Sequence, residues 1–433
     1  MKQQKQIKMK TTNKLPTLNK VFYTIALLLL SVYSINAQQL EVNSDLRIRL
    51  ENRNGYGTLK PTTENAATFI SQRARIQFDY TNDKIKLRFS PQNIRTWGDV
   101  ATTSKNDINN SFHEAYGEIK MNEKVAFKVG RQELNYDDAR ILGSVDWIMQ
   151  ARSHDAFLLK ISPNTKNNIH LGLALNANKE SNFQENYLVP QYKSLQYLWY
   201  HGDFKNIGLS VLTLNNGMAY LDGTEEKTAY SQTIGPRFTF KQDKLTIDAS
   251  TYFQTGKIGD NTVNANYFAA NFNYKAINTF QIGLGFEHLS GKNQDDTSTD
   301  VKSFNPLYGT NHKFNGYMDY FYVGNHNNSV GLTDLFATFV YEKDKLSLKI
   351  TPHYFASAAS IYNAGAKQNN YLGTELDFTL GYKLYENVTI DAGFSQMFAS
   401  TSMEILKGGD KSNGNNWTYL GLKINPKLFS YKH

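Results

Sequence analysis

The sequence predicts an all-β chain, a single transmembrane antiparallel up-and-down β-barrel of about 18 strands in an outer membrane. Three observations carry that expectation. An export segment opens the chain. A two-residue alternation of apolar and polar side chains then runs from Gln39 almost to the end, and the connectors between alternating segments are short and long by turns.

The export segment covers residues 1–37. Lys2, Lys5, Lys8, Lys10, Lys14 and Lys20 precede an apolar core at 21–34 that contains Leu27 to Leu30, and Ile35-Asn36-Ala37 ends in a small residue. Basic start, apolar core and small-residue end form a cleavable secretory signal. The core is too short for a spanning anchor, which needs roughly 20 residues. Residues 38–433 are then the barrel domain, delivered to the cell outer membrane.

Without the signal's six lysines, 41 basic residues face 39 acidic ones, so the basic balance of the whole chain is mostly an export feature. No concentrated basic face remains for nucleic acid. Zero Cys removes disulfides and thiolate metal sites together. The chain is 13% aromatic, with 27 Tyr and 26 Phe, beside a negative mean hydropathy. A barrel in lipid reconciles the two, because it wears rings outside and keeps a polar lumen.

The alternation is visible segment by segment. Leu46, Ile48 and Leu50 interleave with Arg47, Arg49 and Glu51; Ala74, Ile76 and Phe78 interleave with Arg73, Arg75, Gln77 and Asp79. Leu171/Leu173/Leu175, Phe280/Ile282/Leu284/Phe286 and Val388/Ile390/Ala392/Phe394 continue it. Successive side chains point to opposite faces of a sheet, so each segment has one apolar and one polar face. Short connectors are expected at 81–84, 122–124, 162–167, 205–206, 241–244, 275–278, 342–345 and 385–387. Long ones are expected at 53–67, 98–110, 137–155, 179–193, 215–227, 256–263, 290–334, 357–369 and 400–415. Tight periplasmic turns and longer external loops produce this asymmetry in a membrane barrel, and an even strand count puts both ends on the periplasmic side. The aromatic last segment, Trp417 and Tyr419 ahead of Leu428-Phe429, is expected to close the barrel on the first strand and to address the barrel-assembly machinery. Lipid and lipopolysaccharide are the expected partners outside.

The polar faces speak about cargo. Ten of the 11 arginines lie between Arg47 and Arg152. Arg47, Arg49, Arg73, Arg75 and Arg88 fall on the polar parity of the first three strands, so the lumen is their expected location. Guanidinium grips carboxylate or phosphate with a rigid fork of donors, which suits passage of an anionic oligo- or polysaccharide. The same faces carry Glu114, Glu118, Asp248, Glu287, Glu375, Asp377 and Asp391. Paired to these, the arginines would instead stiffen the wall.

One segment has a familiar pattern. Val129-Gly130-Arg131-Gln132-Glu133-Leu134-Asn135-Tyr136-Asp137-Asp138-Ala139-Arg140-Ile141-Leu142-Gly143, followed by Asp146-Trp147, Arg152 and Asp155-Ala156, resembles the signature of the alginate-export porin family. Arg73-Ala74-Arg75 and His312 to Phe321 resemble segments of its members in Bacteroidetes-like bacteria. The resemblance implies a monomeric 18-stranded barrel with an electropositive constriction, and by motif it adds Arg131, Asp138, Arg140 and Arg152 to Arg73 and Arg75 as lumen residues. Residues 137–155 would fold inward to narrow the pore. The short periplasmic connectors predict no plug from that side.

Other classes fit less well. A barrel enzyme needs a nucleophile and base in reach of each other. The nine His are scattered, G-x-S-x-G and H-E-x-x-H are absent, and neighbouring His113 and Glu114 point to opposite faces of a strand. No cofactor is expected. The acidic run from Asp295 to Asp300 lacks the glycine turn of a Ca²⁺ loop. A secreted sugar-binding β-protein would be soluble without detergent; a porin without polyuronate specificity remains the alternative within the barrel class.

Overall fold

The computed structural model describes residues 38–104, 106 and 109–432; the expected signal at 1–37 lies outside them. Eighteen strands, each antiparallel to its neighbours, form one closed sheet. In chain order they are β1 (Gln39–Asn54), β2 (Ala67–Thr81), β3 (Ile85–Thr96), β4 (Asn110–Lys120), β5 (Val125–Gln132), β6 (His154–Asn164), β7 (Asn167–Leu175), β8 (Ser194–Phe204) and β9 (Ile207–Asp222). Then come β10 (Glu225–Gln242), β11 (Leu245–Ile258), β12 (Asn261–Ile277), β13 (Phe280–Leu289), β14 (Leu332–Lys343), β15 (Leu346–Ala356), β16 (Tyr371–Tyr385), β17 (Val388–Ala399) and β18. The last strand is interrupted: Asn416–Ile424 and Lys427–Lys432 flank Asn425-Pro426, and both pieces pair with β1. Pro426 has no N–H for the ladder, but its carbonyl accepts from the Ser44 N–H at 3.1 Å. Closure leaves no open edge in lipid, as expected.

Burial is inverted relative to a soluble sheet. Leu50, Ile76 and Phe89 are 41%, 41% and 46% exposed, while Arg73, Asp334 and Glu375 are 0% exposed. The alternation therefore sends the apolar parity to lipid and the charged parity to the lumen. Three short turns share one device. Asn82 accepts from the Lys84 and Ile85 N–H groups at 3.0 and 2.7 Å, and Asn122 and Asn164 do the same two and three residues on. An Asn side chain that mimics a backbone acceptor is how such a tight reversal is held.

Two expected long connectors are not loops. Residues 215–227 and 256–263 lie mostly within β9, β10, β11 and β12, whose hairpins close at Gly223-Thr224 and Gly259-Asp260. These strands run on beyond the apolar band; there the alternation of apolarity fades, while backbone pairing continues.

The lumen departs from a purely polar one. Residues 133–153 and 290–331 fold inward and meet each other: the Gly143 N–H donates to the Tyr308 carbonyl at 2.9 Å, and the Tyr308 N–H donates to the Ile141 carbonyl at 3.0 Å. Their Leu134, Ile141, Leu142, Phe304, Met318 and Tyr320 form an apolar core against Tyr197, Leu212, Leu214, Tyr252 and Tyr267, which face inward on β8 to β12. The segment around Met318 to Tyr322 is part of this inner loop and not a strand. Among the described residues the plug is thus built from the external side alone.

Candidate channel constriction

Cross-strand register puts like charges side by side. Lys423 of β18 faces Arg47 of β1, and Arg47 faces Arg73 of β2. Direct opposition of like charges destabilises a sheet, so this row needs anions. Asp45 supplies one, 3.0 Å from Arg47 and also paired to Arg73. The inward loop supplies another: Asp146 lies 2.6 Å from Arg47 and 2.9 Å from Arg73.

The other wall arginines grip the same loop turn. Arg49 donates to the Trp147 carbonyl at 2.9 Å, its guanidinium stands 3.9 Å from the Trp147 ring centroid, and Glu51 holds it at 2.9 Å. Arg73 reaches the Met149 carbonyl at 3.2 Å. Arg75 forks onto Gln92 at 2.9 and 2.7 Å, and Gln92 in turn donates to the Gln150 carbonyl at 3.2 Å. Arg88 sits deeper, bidentate on Asp79 at 2.7 and 2.9 Å with Glu114 at 3.0 Å. Burial pushes the Asp146 carboxyl up, but Arg73 and Arg47 outweigh that and hold it below its ordinary value. His113 secures both ends of the loop, with Ser153 at 3.0 Å on Nδ1 and Glu133 at 2.7 Å on Nε2.

A second arc, β13 to β16, has the opposite sign. Glu287 faces Asp334 across the β13–β14 ladder, and Glu375 faces His353 across β15–β16. The inner loops neutralise this arc. Arg140 pairs with Glu287 at 3.0 Å and donates to Asn315 at 2.9 Å; Asn315 donates to Glu287 at 2.9 Å and to Asp334 at 3.3 Å. The Met318 and Tyr317 N–H groups donate to Glu375 at 2.8 Å and Asp377 at 3.2 Å. Gly316 lets the backbone come this close. Its φ is +82°, and a Cβ there would stand 2.6 Å from the Glu375 carboxylate. His353 bridges Asp334 and Asp377 at 3.0 and 3.6 Å.

Two water-accessible spaces beside this plug border the charged rows. One of about 270 Å³ is bounded by Arg47, Arg49, Asp146, Trp147, Asp391 and Lys423. The other, about 670 Å³, extends towards the periplasmic turns between Asp138, Arg237, Asp248, Lys313 and Lys349.

The family described as alginate export matches residues 38–402. The chain belongs to the alginate-export family. Solved structures share the fold of this family member at low identity. Acinetobacter baumannii OccAB4 superposes with a TM-score of 0.62 at 12% identity, over 91% of this chain and 98% of that one. The Pseudomonas aeruginosa outer membrane protein opdK gives 0.60 at 11%, over 92% and 99%. No curated protein matches the chain. The protein is an outer-membrane β-barrel of porin type.

Within this alginate-export barrel the nine expected lumen residues divide. Arg47, Arg49, Arg73, Arg75 and Arg88 share the inner face of β1 to β3. Arg140 is inside but only 1% exposed, its Nη2 held by Glu287 and Asn315. Asp138 accepts from the Arg140 N–H at 3.1 Å and lines the larger space. Arg152 faces the extracellular side, donating to the Gly309 carbonyl at 3.1 Å. Arg131 departs from the expectation. It shares the parity of Val125, Phe127 and Val129, so it points outward, pairing with exposed Asp155 at 3.0 Å and donating to the Phe112 carbonyl at 3.0 Å. Motif position put it in the lumen; strand parity puts it on the rim.

Sequence reading missed Asp45, Asp334 and Lys423, and had Asp146 only within the family signature, with no role in the lumen. Asp45 and Lys423 carried a usable signal, since they share the inner parity of their strands. Asp146 carried none by itself, because a loop has no parity.

Proposed function

We propose that this barrel passes an anionic oligo- or polysaccharide passively across the outer membrane, through the narrow space beside the Lys423–Arg47–Arg73 row. The observation that carries the reading is Asp146. A carboxylate held between two guanidinium groups at 2.6 and 2.9 Å occupies the position that a uronate carboxylate of the cargo would take. Lys423, 43% exposed, and Arg47, 20% exposed, still meet lumen water there. A passing polyanion would exchange with Asp146 for the same donors, so the loop that narrows the pore yields to charge of its own kind.

A second reading is a porin without uronate specificity. It draws support from the pairing itself, because Arg49, Arg75 and Arg88 are all engaged by wall or loop acceptors. Single-channel currents in a planar bilayer separate the two. Reversal potential in a salt gradient gives ion preference, and added oligo-uronate tests block. Anion preference with concentration-dependent block, weakened in Lys423→Ala, supports the proposal. Conductance with neither preference nor block leaves the general porin.

A further inference from the structure

A third space, about 440 Å³, opens on the extracellular side of the plug and shares no lining residue with the Lys423–Arg47–Arg73 constriction. Its volume falls in the range of small-ligand sites, roughly 300–1,000 Å³. The floor is aromatic: the His154 and Tyr192 rings are stacked at 5.8 Å and 9°, and Tyr308 stands edge-on to both, at 82° and 80°. The rim at Pro190, Gln191, Asn327 and Asn328 is exposed. A buried floor beneath an exposed amide rim makes a cup that faces the medium.

One polar atom of the floor is uncommitted. His154 is 5% exposed; its Nδ1 engages the Tyr192 hydroxyl at 2.8 Å, and its Nε2 has no hydrogen-bond partner. A buried polar nitrogen without a partner carries a desolvation cost, which a ligand hydroxyl would relieve. Beside it Arg152 gives one guanidinium nitrogen to Gly309 and also hydrogen-bonds Tyr322, and its five-donor fork keeps further donors for an acid group.

We propose that this cup is a saccharide subsite at the outer mouth, taking one pyranose unit of an anionic oligosaccharide. Its C–H face packs on the aromatic floor, a hydroxyl meets His154 Nε2, amide groups of Asn327 and Asn328 meet the outer hydroxyls, and the uronate carboxylate turns to Arg152. The inference deepens the proposed function and rests on it. Because Tyr308 and Gly309 belong to the inner loop zipped to residues 139–143, the occupant touches the plug itself.

The test is current block by a defined tri-uronate added to one side at a time of the full-length barrel in a bilayer. Extracellular addition is expected to give the faster on-rate. His154→Phe, which keeps a ring but removes the nitrogen, and the rim variant Asn327→Ala/Asn328→Ala are each expected to weaken block from that side by about tenfold, the scale of one or two lost hydrogen bonds. Conductance in the same traces reports that the barrel is folded. Equal block from both sides, unchanged in both variants but lost in Lys423→Ala, overturns the subsite and leaves the proposed function standing. Absence of tri-uronate block from either side overturns both.

Discussion

Asp146→Asn removes one negative charge and almost no volume from the point where the inward loop meets the wall. Arg47 would keep Asp45 at 3.0 Å and the Asp146 carbonyl at 2.8 Å; Arg73 would keep Asp45 and the Met149 carbonyl. Of the two contacts at 2.6 and 2.9 Å, one keeps an amide oxygen as acceptor and the other loses its acceptor to an amide NH2 that can only donate. A hydrogen bond to a charged group contributes about 1.5–3 kcal/mol when shielded. Asp146 is 43% exposed, so solvent screening brings the pair of contacts down to about 1–2 kcal/mol together. That corresponds to roughly a five- to thirtyfold shift of the loop from docked to undocked. Single-channel recording reads it in two ways. Open events should lengthen or grow more frequent by that factor, and the reversal potential should move towards greater anion preference, because two guanidinium groups lose one of the two carboxylates they share. A variant with wild-type open probability and an unmoved reversal potential would refute the idea that Asp146 holds the loop and competes with cargo.

Three further outcomes follow from the same geometry. The Asp146 carboxyl is held below its ordinary value of 3.8, so its clamp is fully present above that pH and is lost as pH falls through the folded value; open-channel flicker measured against pH should stay flat in neutral and mildly acidic buffer and rise only in stronger acid. Arg140→Ala leaves Glu287 buried with its charge partner gone, a change that costs about 3–5 kcal/mol; the temperature at which the barrel loses its folded gel mobility should drop, and Arg140→Ala with Glu287→Gln should recover part of it. Arg131→Ala should leave the reversal potential at the wild-type value, because that side chain lies on the outer rim; a shift in anion selectivity would return it to the lumen.

The sequence by itself determined the barrel, the lipid-facing parity, the location of the tight turns and the inward face of Arg47, Arg49, Arg73, Arg75 and Arg88. All of these follow from local periodicity, since each side chain's face is set by its immediate neighbours along the strand. Parity, applied strictly, would also have sent Arg131 outward. The length of the β9 to β12 hairpins was less legible, because backbone pairing outlasts the apolar alternation that marks membrane depth. Only the tertiary structure decided what the charges do. Asp146 is 99 residues from Arg47 and 73 from Arg73, and Arg140 is 147 from Glu287. The wall rows Lys423–Arg47–Arg73 and Glu287–Asp334 are like charges that become stable when a loop of opposite sign lies on them. A loop has no period from which its direction can be read; its path is set by the electrostatic and packing complementarity of distant surfaces, and that exists only once the barrel has closed.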